Sequence, residues 1–192
     1  VRKLSKLIEK INNTGAVSWT AGPMDHSLRF LYHRESLAAQ IKIMQAYLKK
    51  RFSQDSTTLS LPYHFYSTYL GYFAKQLDIK AILASPYKSA PITHPPHTKD
   101  IKVLHAEPWS PESKASPAKD AIWNVDLKRM DDVDLCEKFL TWLQSVEANW
   151  AFPQDIGVDN HNIPEWDTQE HTIDSELLGA RLEALEHPYC KT

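Results

Sequence analysis

Two short apolar runs in the middle of the chain repeat one another and predict neighbouring strands. Residues 78–87 read DIKAILASPY and residues 100–109 read DIKVLHAEPW. Each run is rich in Ile, Val or Leu and closes with a proline–aromatic pair, and proline ends strand pairing because it has no N–H to donate. A third apolar run covers 121–127. The pattern predicts three strands of one small sheet, near 79–84, 101–106 and 121–127.

Helical periodicity flanks this central stretch on both sides. Apolar residues recur at spacings of three and four in several segments, and polar residues fill the positions between them. The predicted helices cover residues 2–11, 27–52, 60–77, 131–149 and 174–186. The polar residues 53–60 show no period and are predicted to be a loop. We expect the helix over 131–149 to pack through five residues: Leu135, Phe139, Trp142, Leu143 and Val146.

These elements predict an α+β fold, a helix-rich domain with a small three-stranded sheet at about 79–128 flanked by helices. We expect residues 1–192 to form a single domain, possibly a fragment of a longer chain, since 192 residues suit one core. Within it, 1–78 would be a helical part, 79–128 the sheet with its proline-rich loops, and 129–192 a second helical part.

Composition narrows the class of protein. Hydrophobic residues make up 42% of the chain, charged residues 24%, and the net charge is −2, so no global basic field points to nucleic acid. Two cysteines are too few for a disulfide scaffold, which favours a reducing, cytoplasmic or otherwise intracellular location. No apolar run reaches the length of a membrane span, so we expect no membrane partner.

Two features suggest contacts with other macromolecules. Lys49, Lys50 and Arg51 end the predicted helix 27–52. They suit the negative end of the helix dipole, and they could equally contact phosphate groups. Trp109 follows the second strand in a proline-rich loop, where an aromatic side chain suits an interface.

One constellation could carry chemistry. Asp100 opens the second predicted strand, and Asp126 and Lys128 close the third on one face of it. Two carboxylates on neighbouring strands could bind Mg²⁺, and the lysine could stabilise charge on a phosphate. This order of a helix, three strands and a helix with Asp…Asp-x-Lys is similar to the PD-(D/E)XK nuclease superfamily. The resemblance implies a Mg²⁺-dependent nuclease; alternatively, Asp126 and Lys128 are solvated residues at the end of a half-buried strand.

The remaining candidates are weaker patterns. His94 and His97 are separated by two prolines, and neither cysteine stands at ligand spacing from a partner, so no zinc set is predicted. His105 and Glu107 share one face of a strand and could be an acid–base pair or ordinary neighbours.

The sequence therefore favours a macromolecular interaction domain within a larger assembly. Protein partners are expected, nucleic acid is possible, and no cofactor is expected. The alternative is the Mg²⁺-dependent nuclease, and whether the protein is an enzyme stays open.

Overall fold

The computed structural model describes residues 2–25, 33–85, 91–95, 99–113, 122–125, 132–146, 151–153 and 156. Four helices and six strands lie in these ranges. The helices are α1 (Arg2–Asn12), α2 (Arg34–Phe52), α3 (Thr68–Lys75) and α4 (Val133–Ser145). The strands are β1 (Thr58–Ser60), β2 (Ala81–Ala84), β3 (Ile92–Thr93), β4 (Lys102–His105), β5 (Glu107–Pro108) and β6 (Trp123–Asn124). A single 3₁₀ turn, Pro62–His64, follows β1.

The main sheet has four strands in the order β1-β2-β4-β3. Strands β1, β2 and β4 run parallel, and the short β3 runs antiparallel to β4. Ala21 forms a further parallel bridge to Leu59 on the outer side of β1. Parallel chain segments thus lie side by side in chain order, which is the winding that α/β barrels use.

Both faces of this sheet are covered. Leu59, Ile82 and Val103 stand in one cross-strand row, and the first two pack into a core cluster with residues of α2 and α3. On the other face Leu104 packs with Ala81 and Ile92, against Leu83, Ile122 and Ile156. Burial on both faces explains why β2 is apolar throughout and why the apolar residues of β4, Val103 and Leu104, are adjacent rather than alternating with polar ones.

Two left-handed residues end the helices that cover the sheet. Ser53 (φ 57°) follows α2 and donates its N–H to the carbonyl of Lys49 at 3.0 Å. Asp78 (φ 54°) lies in the turn that leads from α3 to β2. A left-handed residue just beyond a helix is a common way to end it, so both conformations have a local explanation.

The structure confirms the class of fold and corrects its details. Mixed helices and strands surround a small sheet, as predicted, and the runs at 79–84 and 101–106 contain β2 and β4. The sheet has four strands rather than three, because two segments that were predicted to be loops contain β1 and β3. The run at 121–127 contributes only β6, which pairs with β5 in a separate two-stranded sheet. The division into parts stays a prediction, although residues 1–78 include a strand.

The helical predictions were right in kind and less accurate in extent. α1 lies where it was expected, but Leu4 and Leu7 of its apolar stripe are 62% and 53% exposed. The predicted helix 60–77 is instead the 3₁₀ turn followed by α3. The helix predicted over 174–186 lies outside the described residues.

α4 packs through part of its predicted face. The rings of Phe139 and Trp142 lie 5.0 Å and 6.0 Å from the ring of Trp109, and Trp123 lies 5.6 Å from Trp142. Leu143, however, is 37% exposed, and no residue of α4 is fully buried among the described residues. No helix in the described ranges is both long enough and apolar enough to cross a membrane.

Candidate functional site

The parallel strands bring their carboxyl ends to one edge of the sheet, which we call the carboxyl edge. The chain leaves β1 through Leu61 and the 3₁₀ turn, leaves β2 at Ser85, and leaves β4 at Ala106. In parallel α/β sheets, ligands bind outside the carboxyl ends of the strands, where loops from different strands meet. We therefore expect a ligand-binding site at this edge.

His64 stands at the carboxyl edge in an unusual backbone conformation. It is the last residue of the 3₁₀ turn and has φ 50°. Its carbonyl accepts hydrogen bonds from the backbone N–H of Ser85 at 3.0 Å and from the hydroxyl of Ser85 at 3.4 Å. These contacts tie the segment after β1 to the end of β2.

Burial of the His64 imidazole lowers its pKa below the ordinary 6.5, because desolvation disfavours the charged form. The ring is therefore neutral near pH 7. A neutral imidazole offers one hydrogen-bond donor and one acceptor.

His105 extends the same contacts inward. Its side chain is 2% exposed; Nδ1 lies 2.8 Å from the carbonyl oxygen of Ser85, and Nε2 lies 2.9 Å from the hydroxyl of Thr93. A carbonyl oxygen can only accept, so Nδ1 of His105 donates to Ser85, and Nε2 forms the second hydrogen bond with the Thr93 hydroxyl. We call His64, Ser85, Thr93 and His105 the edge network. Since both nitrogens of His105 are engaged inside the protein, the ring does not serve as an acid–base partner of Glu107.

The segment around Pro95 closes tightly over the start of α3. A Cβ atom added to Gly71 would lie 2.5 Å from Cβ and 2.6 Å from Cγ of Pro95, and 3.2 Å from the hydroxyl of Tyr66. Burial, and secondarily the charge of Tyr72, raises the pKa of the Tyr66 phenol well above its usual 10. The phenol therefore stays protonated throughout the physiological pH range.

Two described acids follow parallel segments of the sheet on the side of the carboxyl edge. Glu107 comes two residues after the end of β4 and is exposed, and Asp25 comes four residues after Ala21. From Ala21 across β1 and β2 to β4 is three interstrand steps of about 4.8 Å, or about 14 Å.

The opposite, amino edge of the sheet holds the first residue of the predicted nuclease constellation. Asp100 precedes β4, is exposed, and pairs with Lys75 at 3.0 Å. Asp126 and Lys128 lie outside the described residues. The structure therefore places Asp100 in a surface ion pair, at the edge away from the carboxyl ends of the strands.

The predicted contact residues lie in intramolecular contacts. Lys49 pairs with Asp55 at 2.8 Å, and the guanidinium of Arg51 contacts Glu9 and Ser5, while Lys50 is exposed. The ring of Trp109 is buried against α4. Their role in binding a partner stays a prediction, and so do the partners themselves.

Among the residues that the structure describes, no three His, Cys, Asp or Glu side chains are close enough to hold a metal ion. The expectation that the protein needs no cofactor is not tested by this result. Sequence reasoning missed His64 and Ser85, because it treated the segment around 62 as the start of a helix. The one signal available was the Pro62-Tyr63-His64 run directly after an unrecognised strand.

Comparison with known proteins adds two findings. The structure is similar to the crystal structure of a 4-alpha-glucanotransferase from Thermococcus litoralis, with a TM-score of 0.59 and 12% sequence identity. The match covers 88% of this chain and 30% of that enzyme, so the chain spans less than a third of its length. At this identity the likeness shows the fold. No curated protein sequence matches the chain.

A family model decides between the functional classes. Residues 2–102 match the model of glycosyl hydrolase family 57, which is more than half of the chain. The match overturns both functions that the sequence suggested, the macromolecular interaction domain and the Mg²⁺-dependent nuclease. The Asp…Asp-x-Lys resemblance rested on three residues, and such a triplet arises readily at strand ends. The chain belongs to glycosyl hydrolase family 57.

Proposed function

We propose that this chain is part of a carbohydrate-active enzyme that acts on α-linked glucans. The family match over residues 2–102 supports action on glycosidic bonds, and the similar fold of a 4-alpha-glucanotransferase supports an α-glucan as the substrate. The observation that carries the proposal is the match of 2–102, because this range contains α2, β1, α3 and β2, and therefore His64 and Ser85 of the carboxyl edge.

The chemistry of the carboxyl edge suits a sugar. Glucose units are uncharged, and neutral donors and acceptors bind their hydroxyl groups without the cost of desolvating a charge. The edge network consists of imidazole and hydroxyl groups. Among the described residues, Lys75, Lys80 and Lys99 stand at the amino edge, and Lys102 opens β4 and donates to the carbonyl of Ile156. An anionic ligand such as a nucleic acid would favour that opposite edge.

Cleavage of a glycosidic bond needs two carboxyl groups. One protonates the departing glycosidic oxygen, and the other attacks the sugar or activates a water molecule. Hydrolysis gives the glycosyl group to water, whereas transfer gives it to a hydroxyl group of another sugar chain. We assign Glu107 as the described carboxyl group best placed for a role in this reaction, because it is exposed and stands two residues after the end of β4 at the carboxyl edge.

The test is incubation of the purified protein with maltoheptaose, followed by separation of the products by length. Hydrolysis yields only shorter chains, and transfer yields both shorter and longer ones. Cellohexaose, with β-linkages, serves as the control substrate and should stay intact. Glu107→Gln should lower the rate at least a hundredfold, which is the scale for loss of a group that transfers a proton. Glu137→Gln, at an exposed position on α4, should leave it unchanged.

Maltoheptaose that is neither changed nor bound would overturn the proposed function. Turnover by Glu107→Gln at the wild-type rate would show that Glu107 has no role in the reaction. The proposed substrate class would not be affected by that result.

A further inference from the structure

His64 has a left-handed backbone conformation that does not end an α-helix. Three described residues other than glycine have positive φ: Ser53, His64 and Asp78. Ser53 and Asp78 follow α2 and α3, where a left-handed residue commonly ends a helix. His64 ends only the three-residue 3₁₀ turn, and the chain continues into extended backbone at Phe65. Such an outlier persists only where the surrounding structure holds it, and outliers of this kind cluster at functional sites.

The carboxyl edge supplies the contacts that hold this conformation. Both the backbone N–H and the hydroxyl of Ser85 donate to the His64 carbonyl, and the N–H of His64 donates to Leu61 at 3.0 Å. Ser85 is in turn held by its carbonyl contact with His105. The position of His64 is therefore fixed from β1, β2 and β4 together.

The side chain of His64 is left available by this arrangement. Neither ring nitrogen is hydrogen-bonded to a described residue, whereas both ring nitrogens of His105 are engaged. The ring is half-buried, so it is neither part of the sealed core nor fully solvated. A neutral imidazole at this place presents one donor and one acceptor to whatever occupies the edge.

We infer that His64 binds a hydroxyl group of a glucose unit at the carboxyl edge, and that its left-handed backbone conformation is retained to aim the ring at that sugar. The inference rests on the proposed function, because it takes an α-glucan to be the ligand. A sugar hydroxyl both donates and accepts, and so it matches the two free ring nitrogens of a neutral histidine.

Two substitutions at this position separate binding from folding. His64→Gly removes the steric conflict of a side chain at positive φ, and His64→Asn keeps a polar side chain of a type that tolerates this conformation. Both variants lose the imidazole. The matched control is Asp78→Gly, which relieves the same kind of backbone conformation at the amino edge of the sheet.

The experiment measures maltoheptaose affinity by calorimetry and stability by chemical denaturation for the wild type and these variants. We expect His64→Gly to be at least as stable as the wild type and to bind maltoheptaose at least tenfold more weakly, with His64→Asn also weakened. Asp78→Gly should keep the wild-type affinity. Should His64→Gly fail to fold, His64→Asn decides the matter alone.

Wild-type affinity in both His64 variants would overturn the inference while leaving the proposed function intact. A wild-type protein that neither binds nor converts maltoheptaose would overturn the proposed function and the inference with it.

Discussion

The two edges of the parallel sheet differ in kind. At the amino edge, Asp100 and Lys75 form an ion pair whose side chains are 76% and 62% exposed. At the carboxyl edge, Thr93 and His105 are almost fully buried, and they connect to His64 through Ser85. The same strands thus have a solvated ion pair at the amino edge, whereas at the carboxyl edge a buried hydrogen-bonded network lies beside the exposed Glu107.

The two edges therefore differ in how much a substitution should lower the free energy of unfolding. An exposed ion pair stabilises a protein by about 0–1 kcal/mol, because water and salt screen it. A buried polar group that loses its partner costs about 1–3 kcal/mol, because nothing replaces the lost hydrogen bond. The charged residues of the amino edge are conspicuous in the sequence. Substitutions in the edge network should nevertheless lower stability more.

The largest expected effect comes from removing the centre of the edge network. His105→Leu leaves the Ser85 carbonyl and the Thr93 hydroxyl without the ring that joins them, so it should lower the free energy of unfolding by about 2–4 kcal/mol. The matched control is Asp100→Asn at the amino edge, which should change it by less than about 0.5 kcal/mol. Denaturant titration of both variants measures the two values, and equal losses would contradict the contrast between the edges.

A smaller effect is expected where α3 meets the segment 91–95. Gly71→Ala forces a Cβ atom against the ring of Pro95, and overpacking of this kind typically costs about 1–3 kcal/mol. The control Gly15→Ala places a Cβ in open space at φ 70°. Only the strain of an alanine in the left-handed conformation should then lower the free energy of unfolding, by about 1 kcal/mol. A Gly71→Ala protein as stable as the wild type in the same denaturant titration would show that the two segments are not in contact.

The smallest expected effect is a dependence of stability on pH. The folded state holds His64 neutral to a lower pH than the unfolded chain does, because burial lowers its pKa from 6.5. Below about pH 6.5 the unfolded chain therefore binds more protons, and stability falls as pH falls towards the folded pKa. His64→Gln should reduce the loss of stability between pH 7.5 and pH 5.5. An identical loss in variant and wild type would show that His64 does not contribute to it.

The sequence predicted the two strands that contain adjacent apolar residues and missed β1, which contains a single one. β2 and β4 are buried on both faces, so their composition alone marks them as strands. β1 reads Thr-Leu-Ser and was taken for a loop, although Thr58 is 1% exposed. A three-residue strand with two hydroxyl side chains carries too little hydrophobic pattern to be distinguished from a loop.

The candidate site was beyond sequence reasoning for a related reason. His64 and Ser85 stand 21 residues apart, and only the parallel register of β1 and β2 brings them together. Without β1, nothing in the pattern joins these two positions. The periodicity of α1 predicted a helix correctly. It could not show whether the apolar stripe would be buried, and Leu4 and Leu7 are exposed.

The most direct test of the account is to see which edge of the sheet meets an α-glucan. Maltoheptaose is added to ¹⁵N-labelled protein, and the backbone amide signals are followed by NMR. We expect shifts at His64, Ser85 and Glu107, with the signals of Lys75, Lys80 and Asp100 unmoved. Shifts confined to the amino edge, or no shift at millimolar maltoheptaose, would contradict the assignment of the carboxyl edge as the sugar-binding side of this protein.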